Sequence, residues 1–221
     1  MQTFATAAPV TAHLDLPAGS IRLIAADRAD TTVDVRPADP AKSRDVKAAE
    51  STSVSYENGV LRVTAPEAKK FGPSGAVEVT VQLPAGSHVE ATTATAEFRG
   101  VGRLGDVTYE SAHGQVKLDE TAAARLSLQA GDIQVGRLNG AARLSTAKGD
   151  LTVAEAVRGE VALHTEHGDI TVGAARGTDA TLDAGTAYGR VSNTLRNAGT
   201  SDAVLTVRAT TSHGDITARS N

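Results

Sequence analysis

The chain has 221 residues, 40% of them hydrophobic, and a formal charge of -4 from 22 basic and 26 acidic side chains. That length allows one large β domain or two small ones, and the absence of cysteine excludes disulfides, thiolate metal sites and a cysteine nucleophile. The two signs of charge are well mixed, and no basic patch with interleaved aromatics exists for nucleic acid.

The N-terminus, MQTFATAAPV, has no charged segment followed by an apolar one, so no secretory signal is read there. No apolar run approaches the roughly 20 residues of a membrane helix. The expectation is a soluble, cytoplasmic chain with no membrane span. Aromatics make up 3% and tryptophan is absent, so Val, Leu, Ile, Ala and Thr must build the core. Such residues suit stacked strands better than a deep ligand pocket.

Short alternating strands come first. Val10, Ala12, Leu14 and Leu16 alternate with polar residues, followed by Ile21 and Leu23, then Val33 and Val35. Residues 37–50 (PADPAKSRDVKAAE) predict a short helix capped by Asp39, with Pro40 at its first position. Asn58-Gly59, between VSY and LRV, predicts a hairpin with a type I′ turn, which needs positive φ at both positions. Residues 66–75 (PEAKKFGPSG) read as a loop. Val77, Val79, Val81 and Leu83 mark another strand. LPAGS occurs at 16–20 and 83–87, each time leading into a strand, which predicts a related entry turn.

Beyond residue 84 the pattern becomes a repeat. Gly105, Gly114, Gly131, Gly140, Gly149, Gly159, Gly168 and Gly177 stand nine or ten apart, except for one gap of 17 that is two units with one glycine missing. Gly189, Gly199 and Gly214 continue with insertions. A fixed short period predicts a β-solenoid. In each unit the residues two and four after the glycine are apolar: Val116 and Leu118, Ile133 and Val135, Leu151 and Val153, Val161 and Leu163, Ile170 and Val172. Alternation places these pairs inside. Ser111, Thr146 and Thr165, six after the glycine, are expected at the narrow corner. Two nine-residue units make one coil, and coils stack about 4.8 Å apart. The chain then divides into an antiparallel β module, residues 1–82, and a solenoid repeat, residues 83–221.

Three features carry a family resemblance: VTVQLPAG at 79–86, the G-D-I-x-V units at 131–135, 149–153 and 168–172, and the strand unit with ENGVLRV. With these the chain resembles a bacterial β-strand-repeat family of unknown function labelled "putative adhesin". The resemblance implies a β-solenoid with no established activity, and it carries over no site residues.

Candidate sites follow the repeat. The residue before each coil-opening glycine is His113, Ala130, Lys148, His167, Tyr188 or His213. In chain order no two histidines fall on neighbouring coils. A zinc site needs ligands within about 2.1 Å of the metal, so these read as turn histidines, as do His164 and His167. The residue after the glycine is Asp132, Asp150 or Asp169 in three consecutive units. Stacked aspartates repel by roughly 1 kcal/mol per pair, and something must offset that: backbone N–H donors in the turn, or calcium. The calcium-binding β-roll uses G-G-x-G-x-D-x-U-x, and this chain lacks the double glycine. A glycan-acting β-helix enzyme needs paired acids and aromatic platforms, and the only tyrosines of the repeat are Tyr109 and Tyr188. No G-x-S-x-G or phosphate loop occurs. The reading is a non-catalytic scaffold or binding module with no catalytic, cofactor or metal residues. It engages an unknown protein partner, or a copy of itself through an open solenoid end. The C-terminal coil, HGDITARSN, is expected to form that end, shielded by Arg219, Ser220 and Asn221.

Overall fold

The computed structural model describes residues 1–65, 75–196 and 204–221. The loop expected at 66–75 therefore lies outside the described residues except for Gly75, and so does Gly199. The chain folds as two compact units, Met1–Gly114 and Gln115–Asn221.

The first unit contains β1 (Gln2–Ala5), β2 (Thr11–Ala26), β3 (Asp30–Pro37), α1 (Ser43–Ser51), β4 (Ser53–Glu57), β5 (Val60–Thr64), β6 (Val77–Pro84) and β7 (His88–His113). Antiparallel pairs are present: β1 with β3, β3 with β6, and β4 with β5. The structure adds parallel ones. β2 runs parallel to β5, β6 and β7, so the coil geometry already begins at residue 11. β2 is long enough to cross both faces of one coil, with Ala12 and Leu14 beside Leu61 and Val63, and Ile21 and Leu23 beside Val79 and Val81. All eight side chains are buried.

Asn58 and Gly59 have φ of 50° and 82°, the pair of positive values that a type I′ turn needs. The helix starts later than Asp39 predicts. The Asp39 carboxylate instead accepts the Ala41 N–H at 3.0 Å, and its carbonyl accepts the Lys42 N–H. This closes a separate turn, and Lys42 is extended, so helical dihedrals begin only at Ser43. The two LPAGS segments also differ. The first lies inside β2, and the second forms the turn between β6 and β7. Tyr109 is fully buried and stacks on Phe98 with ring centroids 4.5 Å apart, so it offers no sugar platform.

The second unit is a β-solenoid of two parallel sheets. Its strands are β8 (Val116–Ala130), β9 (Ile133–Leu138), β10 (Ala142–Lys148), β11 (Leu151–Ala156), β12 (Gly159–His167), β13 (Ile170–Ala174), β14 (Ala180–Tyr188), β15 (Val191–Thr194), β16 (Leu205–His213) and β17 (Ile216–Ser220). One sheet runs from the first half of β8 through β9, β11, β13 and β17 to β15. The other runs from the second half of β8 through β10, β12 and β16 to β14. Apolar columns run up the interior, among them Val116–Ile133–Leu151–Ile170–Ile216 and Leu126–Leu144–Leu163–Ala209, each member at most 2% exposed.

The order of the last coils corrects the sequence reading. The final coil, β16 and β17, is inserted between β12/β13 and β14/β15. The C-terminus is therefore inside the stack, and residues 180–194 form its outer coil. Arg219, Ser220 and Asn221 shield no open end. Asn221 donates to the Ala154 carbonyl, and Ser220 accepts the Arg196 N–H.

Candidate functional site

The corner that carries His-Gly-Asp is the most regular feature of the second unit. In stacking order its glycines are Gly131, Gly149, Gly168, Gly214 and Gly189, each of the first four donating its N–H to the carbonyl of the residue before the next glycine. Gly168 shows why glycine is required. Its φ is +152°, and a Cβ there would lie 2.0 Å from the Gly149 carbonyl oxygen. The hydroxyls of Thr165, Thr211 and Thr186 donate to the carbonyls of Gly149, Gly168 and Gly214 at 3.0–3.1 Å. Thr146 makes the same contact to Gly131 at 3.3 Å. The small hydroxyl residues thus fasten one coil to the next.

Asp132, Asp150 and Asp169 do stack, and Asp215 extends the row to four. Each Oδ1 accepts the backbone N–H of the next corner: Asp132 from Asp150 at 2.9 Å, Asp150 from Asp169 at 2.8 Å, Asp169 from Asp215 at 2.7 Å, and Asp215 from Arg190 at 2.8 Å. A charge-assisted bond to each carboxylate offsets the repulsion along the row. Arg190 closes it, its guanidinium 3.4 Å from Asp215. Among the described residues no three His, Asp or Glu side chains converge as a metal site.

The histidines are arranged differently from their order in the chain. The inserted coil places His213 directly between His167 and Tyr188. Ring centroids are 4.9 Å apart in both contacts, with planes inclined by 2° and 12°. His164 points elsewhere, with Nδ1 2.8 Å from the Thr210 hydroxyl. His113 is exposed at the end of β7 in the first unit. Sequence spacing could not reveal the three-ring stack, because it arises only when a later coil enters between two earlier ones.

The profile of the Toastrack DUF4097 family, a family of unknown function, matches residues 12–219. The chain belongs to this family. One solved structure agrees with the fold, and others show a weaker likeness. A "putative adhesin" from Bacteroides fragilis is 14% identical with a TM-score of 0.58, covering 98% of this chain and 96% of that one. A second "putative adhesin", from Parabacteroides distasonis, is 14% identical at a TM-score of 0.47, covering 98% and 95%. A "putative lipid binding protein" from the same organism is 12% identical at 0.46, covering 98% and 95%. No curated protein matches the chain.

In this Toastrack chain the outer coil is the least covered part of the second unit. Beside it an open cleft of about 570 Å³ lies between Gly177–Asp179, Leu195–Arg196 and Ser220–Asn221, and Asp179 is its only acidic side chain among the described residues. Among the described residues no helix is long and apolar enough to cross a membrane.

The end of the aspartate row gives a pH test. The Arg190 N–H holds the Asp215 carboxyl below its ordinary value; desolvation opposes it less strongly, and the Arg190 charge adds a still smaller lowering effect. A carboxyl depressed in the folded state stabilises fully above its unfolded value of about 3.9 and loses that contribution as pH falls through the folded value. Asp215→Asn is therefore expected to melt below wild type at neutral pH, with the gap closing below about pH 4. Melting curves across that range check it; a gap that stays constant counts against the Arg190 contact as its source.

Proposed function

We propose that this chain is a non-catalytic binding scaffold that works through the flat faces and open end of its coils. One observation carries the reading. The polar groups that looked like chemistry are engaged with one another along the stack, while the interior columns are packed shut. Among the described residues no buried side-chain nitrogen or oxygen lacks a hydrogen-bond partner. What remains for a ligand is the outer surface. On β8 and β10, Arg125 lies beside Arg143, and Ser127 beside Ser145, all facing outward on neighbouring strands. The name of the Bacteroides fragilis relative, "putative adhesin", is in keeping with binding, as is a fold built of long exposed faces.

A panel of neutral and acidic polysaccharides separates the classes. The expected result is retention of at least one polymer on immobilised protein, reduced when Arg125 and Arg143 are both changed to Glu. No release of reducing ends above buffer is expected. Turnover of any panel member would overturn the non-catalytic reading.

A further inference from the structure

We propose that a second copy of this chain docks on the outer edge of β14 and β15, pairing antiparallel about a two-fold axis. The proposal rests on the scaffold reading and names one partner for it.

At this edge the core is cut through. Val191 is 45% exposed, whereas the residues of its column, Val116, Ile133, Leu151, Ile170 and Ile216, are at most 1% exposed. Leu182 and Ala184 are half-buried, while Val207 and Ala209 beside them are fully covered. Tyr188, 71% exposed, stands on the same coil.

The main chain there is also open. The Leu205 N–H bonds to the Asp179 carbonyl, so the odd-numbered residues of β14 turn their main-chain groups toward β16. Leu182, Ala184 and Thr186 direct theirs away; the Ala180 N–H at the start of the strand is taken by the Arg196 carbonyl, and beyond it no strand pairs with that side among the described residues. Natural edges are blunted by charge, proline or bulges. These two strands contain no proline and one charged side chain, Asp183.

The partner follows from the shape of the exposed section. A single peptide strand would cover one sheet edge and leave the other, with the core between them still open. Covering both edges requires two strands about 10 Å apart with apolar inner faces. The same end of a second copy presents that arrangement. A two-fold contact closes on itself, so it makes a dimer rather than a filament.

Two requirements select the register. The outward main-chain groups belong to even-numbered residues, and so do the inward side chains of β14. Even must therefore face even for both the hydrogen bonds and the core to continue. With Ala184 on the axis, the three residues with outward main-chain groups all pair: Leu182 faces the partner's Thr186, Ala184 faces its own copy, and between them Asp183 faces the partner's Gly185. Shifting the axis to Asp183 would oppose two carboxylates.

Gly185 makes the test clean. Its φ lies outside the positive range, and a Cβ there meets nothing within 4 Å, so substitutions fold. Sedimentation equilibrium of the full chain, from low micromolar upward, should give a species of twice 22.6 kDa. Gly185→Asp places a carboxylate against the partner's Asp183 twice and should weaken the dimer about tenfold or more. Gly185→Lys places opposite charges there and should hold or tighten it. Unchanged melting and circular dichroism confirm the fold of both variants. A wild-type monomer at every concentration overturns the proposal, and leaves the polysaccharide experiment to judge the scaffold reading by itself. A dimer indifferent to both variants, or weakened alike by both, overturns this pairing.

Discussion

Replacing Gly168 with alanine is expected to destabilise the protein by about 3 kcal/mol or more, the sum of backbone strain and overpacking. A φ of +152° is one that L side chains rarely adopt, and the new Cβ would lie 2.0 Å from the Gly149 carbonyl oxygen and 2.6 Å from its carbon. Neither contact is with a flexible side chain, so the coils themselves must separate. That movement would strain the Thr165 and Asp150 bonds to the same corner. For a chain of this size the melting point should fall by roughly 6–12 °C. Two other glycines isolate the causes. Gly177 has a φ of +78° but open space around its Cβ, so Gly177→Ala should show only the backbone part, about 1 kcal/mol. Gly185 has neither restriction, and Gly185→Ala should be neutral or slightly stabilising. Thermal unfolding of the three variants gives the ranking. Equal losses at Gly168 and Gly177 would show that close coil contact is not what requires glycine.

Much of that corner was legible in the sequence. A glycine every nine or ten residues followed by two alternating apolar side chains has one compact solution, a stack of strands with glycine at the bend. The buried pairs at 133 and 135, 151 and 153, and 170 and 172 fall where alternation places them. Asn58-Gly59 was equally direct, because its backbone demand is local. The stacking order was not legible. Parallel main-chain bonds are the same whichever coil lies next door, and Val207 fits over Val161 as well as Leu182 would. Nothing local to β16 therefore distinguishes an inner place from an outer one. The same degeneracy hid the pairing of His167 with His213, the membership of Asp215 in the aspartate row, and the parallel pairing of β2 with β7. The late start of α1 had a different cause: Asp39 satisfies a turn two residues away and leaves Lys42 extended.

Ending the chain after residue 203 should therefore do more than shorten the stack by one coil. It removes Leu205, Val207, Ala209, Ile216 and Ala218, all fully buried. Burial of each Leu, Val or Ile contributes about 1.5–3 kcal/mol, so the three large residues alone account for roughly 5 kcal/mol or more. That is comparable with the whole stability of many domains. The truncation also empties a slot. β14 holds its place through β16, and β15 through β17, so both lose their pairing partners when the last coil goes. The Gly168 carbonyl loses Thr211, and Asp169 loses the Asp215 N–H. Tryptic cleavage at Arg176, Arg190 and Arg196 is expected to accelerate at least about tenfold, as it should when the cleaved segment's opening free energy falls by more than 1.4 kcal/mol. β9 to β12 need not follow at once, since each coil contacts chiefly its neighbours. Were the last coil simply the outermost one, its loss would leave residues 180–194 paired to β12 and β13 and as resistant as before. Peptide mapping of the truncated chain distinguishes the two orders, and protection retained at Arg190 would refute the inserted one.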